Sequence, residues 1–438
     1  MAHAWRPRAL GSDVSERLDL DRAFRAEHGR VLATVARVVG DLARAEELVQ
    51  EAWLRALEHW PRAGVPEKPG AWLVTTARRL AIDAWRREAL ATRSAARAER
   101  EERAGEGARD LEAALDAALA PESLCDDPLR LMFACCHPVL PREAQVALTL
   151  HTLGGLGVPE IAQAFLADER AIAQRLVRAK RTLRARRVSF RVPTAYELPA
   201  RTPAVLDVVS LVFNEGYAAS AGDALVRRAL CDEALRLARL VAEGLPSAEA
   251  LGLVALLELQ ASRLGARVDA AGRALPLEQQ DRGRWDRARI AAGLAFLARA
   301  RRAPRPGALV LQAEIAACHA RARHFAATDW RRVVAHYDRL LALTASPVVA
   351  LNRAIALGFR DGPEAGLAAL AALRFEPRLR RYRYVPAARA DLLRRAERFD
   401  EAAAEFARAE AAMRTAAERA LMAARRAECL ARAAACDG

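Results

Sequence analysis

Residues 158–187, VPEIAQAFLADERAIAQRLVRAKRTLRARR, constrain this chain more than any other stretch. Val158, Ile161, Ala162 and Phe165 recur at helical spacing, which predicts a short helix with one inward face. Leu166, Ala167 and Asp168 interrupt the pattern, and an Asp at this point accepts hydrogen bonds from the first free N–H groups of the next helix. From Glu169 a second helix is expected, with Ile172, Leu176 and Leu183 inside. Its other faces carry Arg170, Arg175, Arg178, Lys180, Arg181, Arg184, Arg186 and Arg187 against a single acid, Glu169. Two short helices joined by a tight turn, the second one basic, describe a helix-turn-helix whose second helix enters the major groove. An ordinary helical hairpin with a solvated basic face satisfies the same pattern.

The remainder of the chain is also helical in character. Hydrophobic residues make up 53% of the 438 positions and aromatic residues only 5%, and no alternating run of β-branched residues reads as a strand. An all-α fold of two or three domains is expected. The formal charge of +14 favours a polyanionic partner. Seven scattered cysteines do not form a disulfide framework and fit a reducing compartment. The first twenty residues lack an apolar signal core, and no apolar run approaches the ~20 residues of a membrane span. The expectation is a cytoplasmic protein.

Near the N-terminus, residues 20–39 read as an amphipathic helix ended by Gly40, with Asp41 as the cap of the next, 42–60. That second helix places Leu42, Leu48, Val49, Ala52, Trp53 and Ala56 inward, and Glu46, Glu47, Gln50, Glu51 and Arg55 outward. Pro61 is expected to stop it, and 61–70 to form a loop. A third helix, 71–88, combines Trp72, Leu73, Leu80, Ile82 and Trp85 with Arg78, Arg79, Arg86 and Arg87.

AEELVQEAWLRA at 45–56 followed by WLVTTARRLAIDAWRR at 72–87 resembles domain two of the extracytoplasmic-function group of bacterial RNA polymerase sigma factors. The helix-turn-helix at 158–187 then resembles their domain four, in the right order and with no domain three between. The resemblance implies domain two at 20–90, a linker at 91–122, domain four at 123–190 and an extension at 191–438.

Cys125, Cys135, Cys136 and His137 invite a metal reading. Adjacent cysteines on one helix point in different directions, however, so small buried core residues are expected and no metal. The extension reads as successive helices of ten to twenty residues. Ala402, Phe406 and Ala409 have the spacing of a tetratricopeptide second helix, and Leu393 sits where its first helix packs. Ala365, Ala369 and Ala372 repeat that spacing about 37 positions earlier, near the ~34-residue period of such units. Generic packing of an Ala-rich chain produces similar spacings. Residues 266–285, with Asp269, Glu278, Gln279, Gln280, Asp281 and Arg282, read as a polar loop suited to binding, as do Asn214, Glu215 and Tyr217. The extension as a whole resembles the tetratricopeptide-like tail of a sigma-factor subgroup, which implies regulation.

No phosphate-binding loop, zinc-protease motif or nucleophile elbow is present, so neither an enzyme nor a cofactor is expected. The resemblance assigns Glu46, Glu47, Gln50, Glu51 and Arg55 to the clamp helices of the core polymerase's largest subunit. Arg78, Arg79, Arg86 and Arg87 fall to the minus-ten element, with Arg79 standing where many of these factors have Asn. Glu169, Arg170, Ala171, Ala173, Gln174, Arg175, Arg178, Lys180 and Arg181 fall to the minus-thirty-five element, by pairing of Arg with guanine and Gln with adenine and by phosphate contacts further along the helix. A regulatory protein or ligand at the extension is a further expected partner. The alternatives are a helix-turn-helix regulator or a helical-repeat scaffold that never engages polymerase.

Overall fold

The computed structural model describes residues 14–91, 127–165, 167–217, 227–269, 274–303, 306–380, 382–413 and 415–436. The expected linker and Cys125 therefore lie almost wholly outside the described residues. Among those described there are 18 α-helices and no strand, only an isolated bridge between Val268 and Ala274. The chain is all-α. None of these helices is long and apolar enough to cross a membrane. The chain divides into two compact units, residues 1–163 with 167–208, and residues 164–166 with 209–438.

In the first unit, α1 (Val14–Val39), α2 (Leu42–Ala63) and α3 (Pro69–Ala91) pack mutually. Gly40 breaks α1 from α2 with φ 72°, and Asp41 caps α2 by accepting from the Ala43 and Arg44 amides at 2.9 and 3.1 Å. Leu42, Leu48, Val49, Ala52, Trp53 and Ala56 are buried, as their spacing requires. Rings tie the three helices together. Phe24 lies 5.0 Å from Trp53, Trp53 5.8 Å from Trp60, and Trp60 5.5 Å from Trp72. Pro61 does not stop α2, which runs on to Ala63. A proline so close to a helix end removes one hydrogen bond from a turn about to finish, and Gly64 closes the end by donating to the Trp60 carbonyl at 2.8 Å.

The same unit continues with α4 (Asp127–Cys135), α5 (Arg142–Thr152), α6 (Val158–Phe165) and α7 (Glu169–Ala185), α4 packing on α1 and α5 on α7. Cys135 and Cys136 are buried beside the hydroxyls of Thr152 and Thr149 at 3.3 and 3.7 Å. Burial raises both thiol pKa values, Cys136 to about 12, so neither is poised as a thiolate. Helix α8 (Leu198–Tyr217) continues through Pro203 and carries Asn214, Glu215 and Tyr217, which were expected on a polar loop but end an unbroken helix.

The second unit is a run of helices, α9 (Arg228–Gly244), α10 (Ala248–Ala261), α11 (Arg287–Ala300), α12 (Ala308–Arg321), α13 (Trp330–Thr344), α14 (Pro347–Arg360), α15 (Pro363–Ala372), α16 (Tyr384–Arg395), α17 (Phe399–Ala412) and α18 (Ala416–Cys436). Each packs on its successor, and α10 also packs on α12. One core gathers Leu351, Leu393, Ala402, Ala403 and Phe406. The small-residue spacing expected in α15 is displaced by one position. Gly366, Leu367 and Leu370 are buried, whereas Ala372 is exposed and Ala365 and Ala369 are half-buried. Gly366 sets that register, because a Cβ there would stand 3.0 Å from the Ala354 carbonyl oxygen of α14 and 2.8 Å from Leu392.

Candidate nucleic-acid interface

Helix α7 is built as its sequence directs. The Asp168 carboxylate accepts from the Ala171 amide at 3.2 Å, fixing the helix start. Ile172, Leu176, Ala179 and Leu183 turn inward and are buried. Glu169, Arg170, Ala171, Gln174, Arg178 and Arg181 are exposed, while Ala173 and Arg175 are half-buried. The first two turns thus present a row of donors and acceptors of the kind that reads base edges in a major groove.

On α2, Glu47, Gln50, Glu51 and Arg55 are exposed, and Glu51 pairs with Arg55 one turn on at 3.5 Å. Glu46 is not on that face, contrary to the expectation. It is buried and forms an ion pair with Lys180 of α7, with His151 of α5 at 3.9 Å from its other oxygen. The signal was in the spacing, since Leu42, Glu46, Val49 and Trp53 lie on one helical stripe and three of the four are apolar. A carboxylate on a buried stripe calls for a cation from a neighbouring element.

Two residues assigned to different partners are therefore brought into one contact, and Lys180 is turned away from the exposed row. A second tie lies beside it. Asp41, while capping α2, also accepts from Arg184 of α7 at 3.0 Å. A third joins α1 to α4, where the fully buried Asp127 takes Arg37 and Arg130, each at 2.7 Å. Sequence reading found neither Asp127 nor Arg37.

On α3, Arg79 and Arg87 are exposed and Arg78 is half-buried. The Arg86 and Trp85 side chains lie outside the described residues. Trp72 is half-buried, in edge contact with Trp60 and stacked at 6.0 Å on His59. Among the described residues no three His, Cys, Asp or Glu side chains gather in a way that would hold a metal ion.

The chain matches three protein families. Residues 23–90 match Sigma-70 region 2, residues 130–183 match Sigma-70, region 4, and residues 201–301 match a family of unknown function, DUF6596. It is 42% identical over 400 residues to a Rhizobium meliloti (strain 1021) protein named "Uncharacterized protein R00370", covering 91% of this chain and 93% of that one. It is 47% identical over 66 residues to the ECF RNA polymerase sigma factor SigL of Mycobacterium tuberculosis, a match spanning 15% of this chain and 37% of that one. No solved structure matches it. Both sigma regions, in order, on the α2 and α7 surfaces just described place the chain in the extracytoplasmic-function sigma factors, proteins that initiate transcription by binding DNA, here with a C-terminal extension built on the family of unknown function.

Proposed function

We propose that this sigma factor engages the clamp helices of the polymerase's largest subunit through Glu47, Gln50, Glu51 and Arg55, and that Glu46 joins them once it parts from Lys180. Arg78, Arg79, Arg86 and Arg87 hold the minus-ten strand, whose separated backbone needs cations. Glu169, Arg170, Ala171, Ala173, Gln174, Arg175 and Arg178 face the minus-thirty-five bases, with Lys180 and Arg181 on phosphates. The work is done in the cytoplasm, where core polymerase is found. The observation that carries this reading is the pairing, in one unit, of an acidic exposed α2 face with a basic exposed α7 face.

The contact of Glu46 with Lys180 gives the reading a consequence. Lys180 cannot serve a phosphate while it holds Glu46, so promoter binding in complex with polymerase separates α7 from α2. Residues 191–438, a helical array of tetratricopeptide-like pairs, regulate that change.

Run-off transcription with bacterial core polymerase tests the proposal. Glu47→Lys with Glu51→Lys should abolish polymerase binding and transcript while promoter contacts by α7 persist; unchanged polymerase binding would sink the assignment of that face. A chain ending at Arg191 should give a transcript yield different from the full chain. Equal yields would remove the regulatory role and leave the sigma role standing.

A further inference from the structure

Between α10 and α11 the chain folds into a closed loop. The Asp286 amide donates to the Ser262 carbonyl at 2.9 Å and the Leu275 amide to the Arg267 carbonyl at 2.8 Å, both on the helix side of the Val268–Ala274 bridge. Three arginines on this loop turn toward aromatic rings. The Arg267 guanidinium lies 3.6 Å from the centre of the Tyr217 ring, and those of Arg263 and Arg282 lie 5.3 and 4.9 Å from that of Trp285.

Their hydrogen bonds separate them into two kinds. Arg282 is a tie within the fold, donating to the His319 and Ala322 carbonyls at 2.6 and 3.0 Å and to the Thr328 hydroxyl at 3.1 Å. Among the described residues Arg263 donates through Nε alone, to the neutral Gln280 amide oxygen at 3.2 Å. The Arg267 side chain has no hydrogen-bond partner among the described residues, and its Nε is buried. Among the described residues no carboxylate forms an ion pair with either. Three carboxylates of this unit are engaged elsewhere, Glu258 with Arg239 and Arg289, Glu215 with Arg227, and Glu278 with Arg394 and Arg425.

Two like charges near one another and half-buried cost free energy unless an anion meets them. Burial first, and then the Arg267 charge, hold the Arg263 guanidinium below its ordinary pKa. A separate observation points the same way. Trp285 is 3% exposed, and its indole N–H finds no acceptor. Stacking on a ring leaves the edge of a guanidinium, with its forked donors, free for a planar or tetrahedral oxyanion.

We propose that Arg263 and Arg267, with the Trp285 indole N–H beside them, form a binding site for the oxyanion of a small molecule, a carboxylate or a phosphate group, with the Tyr217 and Trp285 rings as its walls. The forks of Arg263 and Arg267 grip the oxygens, and Gln280 holds Arg263 in place. Arg282 contributes field and not contact, because its terminal nitrogens are already engaged. The site makes the extension a receptor for an anionic metabolite, and its binding is measurable without polymerase or DNA.

Calorimetric titration of the full chain with inorganic phosphate and, separately, with succinate tests this, with ionic strength held constant by sodium chloride. One of the two should bind saturably at one site per chain. Arg267→Gln and Arg263→Gln should each weaken that binding by about tenfold or more, and Arg284→Gln, at an exposed neighbour on the same loop, should leave it unchanged. Binding of phosphate assigns a phosphate-bearing ligand, and binding of succinate a carboxylate-bearing one. If Arg267→Gln does not fold, Arg267→Lys keeps the charge but loses the fork and should still weaken binding. No saturable binding of either anion, or binding that survives both Arg263 and Arg267 substitutions, would overturn the proposal.

Discussion

The two units differ in how they treat one class of buried charge, the cation. In the first, Asp127 faces Arg37 and Arg130, and Glu46 faces Lys180, so each buried carboxylate joins helices far apart in sequence. In the second, Glu258 follows the same rule with Arg239 and Arg289, but Arg263 and Arg267 face Tyr217, Trp285 and Gln280 and meet no acid among the described residues. Internal pairing fixes which helix packs on which, because a buried charge tolerates few alternative neighbours. Cations left against rings fix nothing by themselves and place the demand for an anion outside the chain.

The largest effect should come from breaking the first rule. Asp127→Ala leaves Arg37 and Arg130 half-buried without their carboxylate, and removing one member of such a group costs about 3–5 kcal/mol. Denaturant unfolding should show the midpoint fall with little change in slope. A loss below about 1 kcal/mol would mean that α4 is held on α1 by apolar contact alone. Next in size is the link between α2 and α7. A double-mutant cycle with Glu46→Gln and Lys180→Met should give a coupling of about 1–3 kcal/mol, as expected for groups in direct contact. A coupling near zero would remove any role for this pair in holding the two helices together.

The helices were legible because apolar periodicity and caps act locally. Asp41 and Asp168 announce α2 and α7, and Ile172, Leu176 and Leu183 place the inner face of α7 without knowledge of the rest. The helices of the extension, expected to run ten to twenty residues, run from 10 in α15 to 21 in α18 for the same reason. Of the candidate site, the exposed rows of α2 and α7 were legible, and the contact between them was not. Whether Glu46 points to solvent or to Lys180 depends on tertiary packing across more than a hundred residues, which a helical stripe indicates only as an anomaly. Asp127 was invisible because a lone acid at the start of a helix reads equally well as a favourable charge at an N-terminus. Arg263 and Arg267 were passed over because Arg is common in this chain, and only the rings beneath them set these two apart.

Protonation offers a way to probe the two units separately. Burial, followed by His151, lowers the His28 pKa to about 4, and burial, followed by Arg263 and Arg282, lowers that of His319 to about 3. Both are neutral in the fold and take up a proton near 6.5 when unfolded. The stability they contribute is thus complete above pH 6.5 and is lost as pH falls, through about 4 for His28 and about 3 for His319. Unfolding midpoints measured against pH should lose up to about one proton of slope in His28→Gln and in His319→Gln. An anion on Arg263 offsets one of the charges that depress His319, so the anion that binds should narrow the His319 window and leave that of His28 unmoved. Equal responses in both windows would break the distinction between internally paired and externally satisfied charge.

The smallest effect tests the boundary of the pairing rule. Arg184 meets Asp41 at 3.0 Å, but its side chain is 78% exposed. Water screens such a pair, and ordering a long side chain offsets most of the attraction, so its contribution is about 0–1 kcal/mol. Asp41 keeps its cap whether or not Arg184 is present, because the amides of Ala43 and Arg44 bind Oδ1 while Arg184 uses Oδ2. Arg184→Ala should therefore shift the unfolding midpoint by no more than about 1 kcal/mol, and the shift should fade with added salt. The Glu46–Lys180 coupling, sheltered from solvent, should persist at the same salt concentration. If the two respond alike, burial is not what separates them, and α7 is held to α2 by surface charge that polymerase or DNA displaces at little cost.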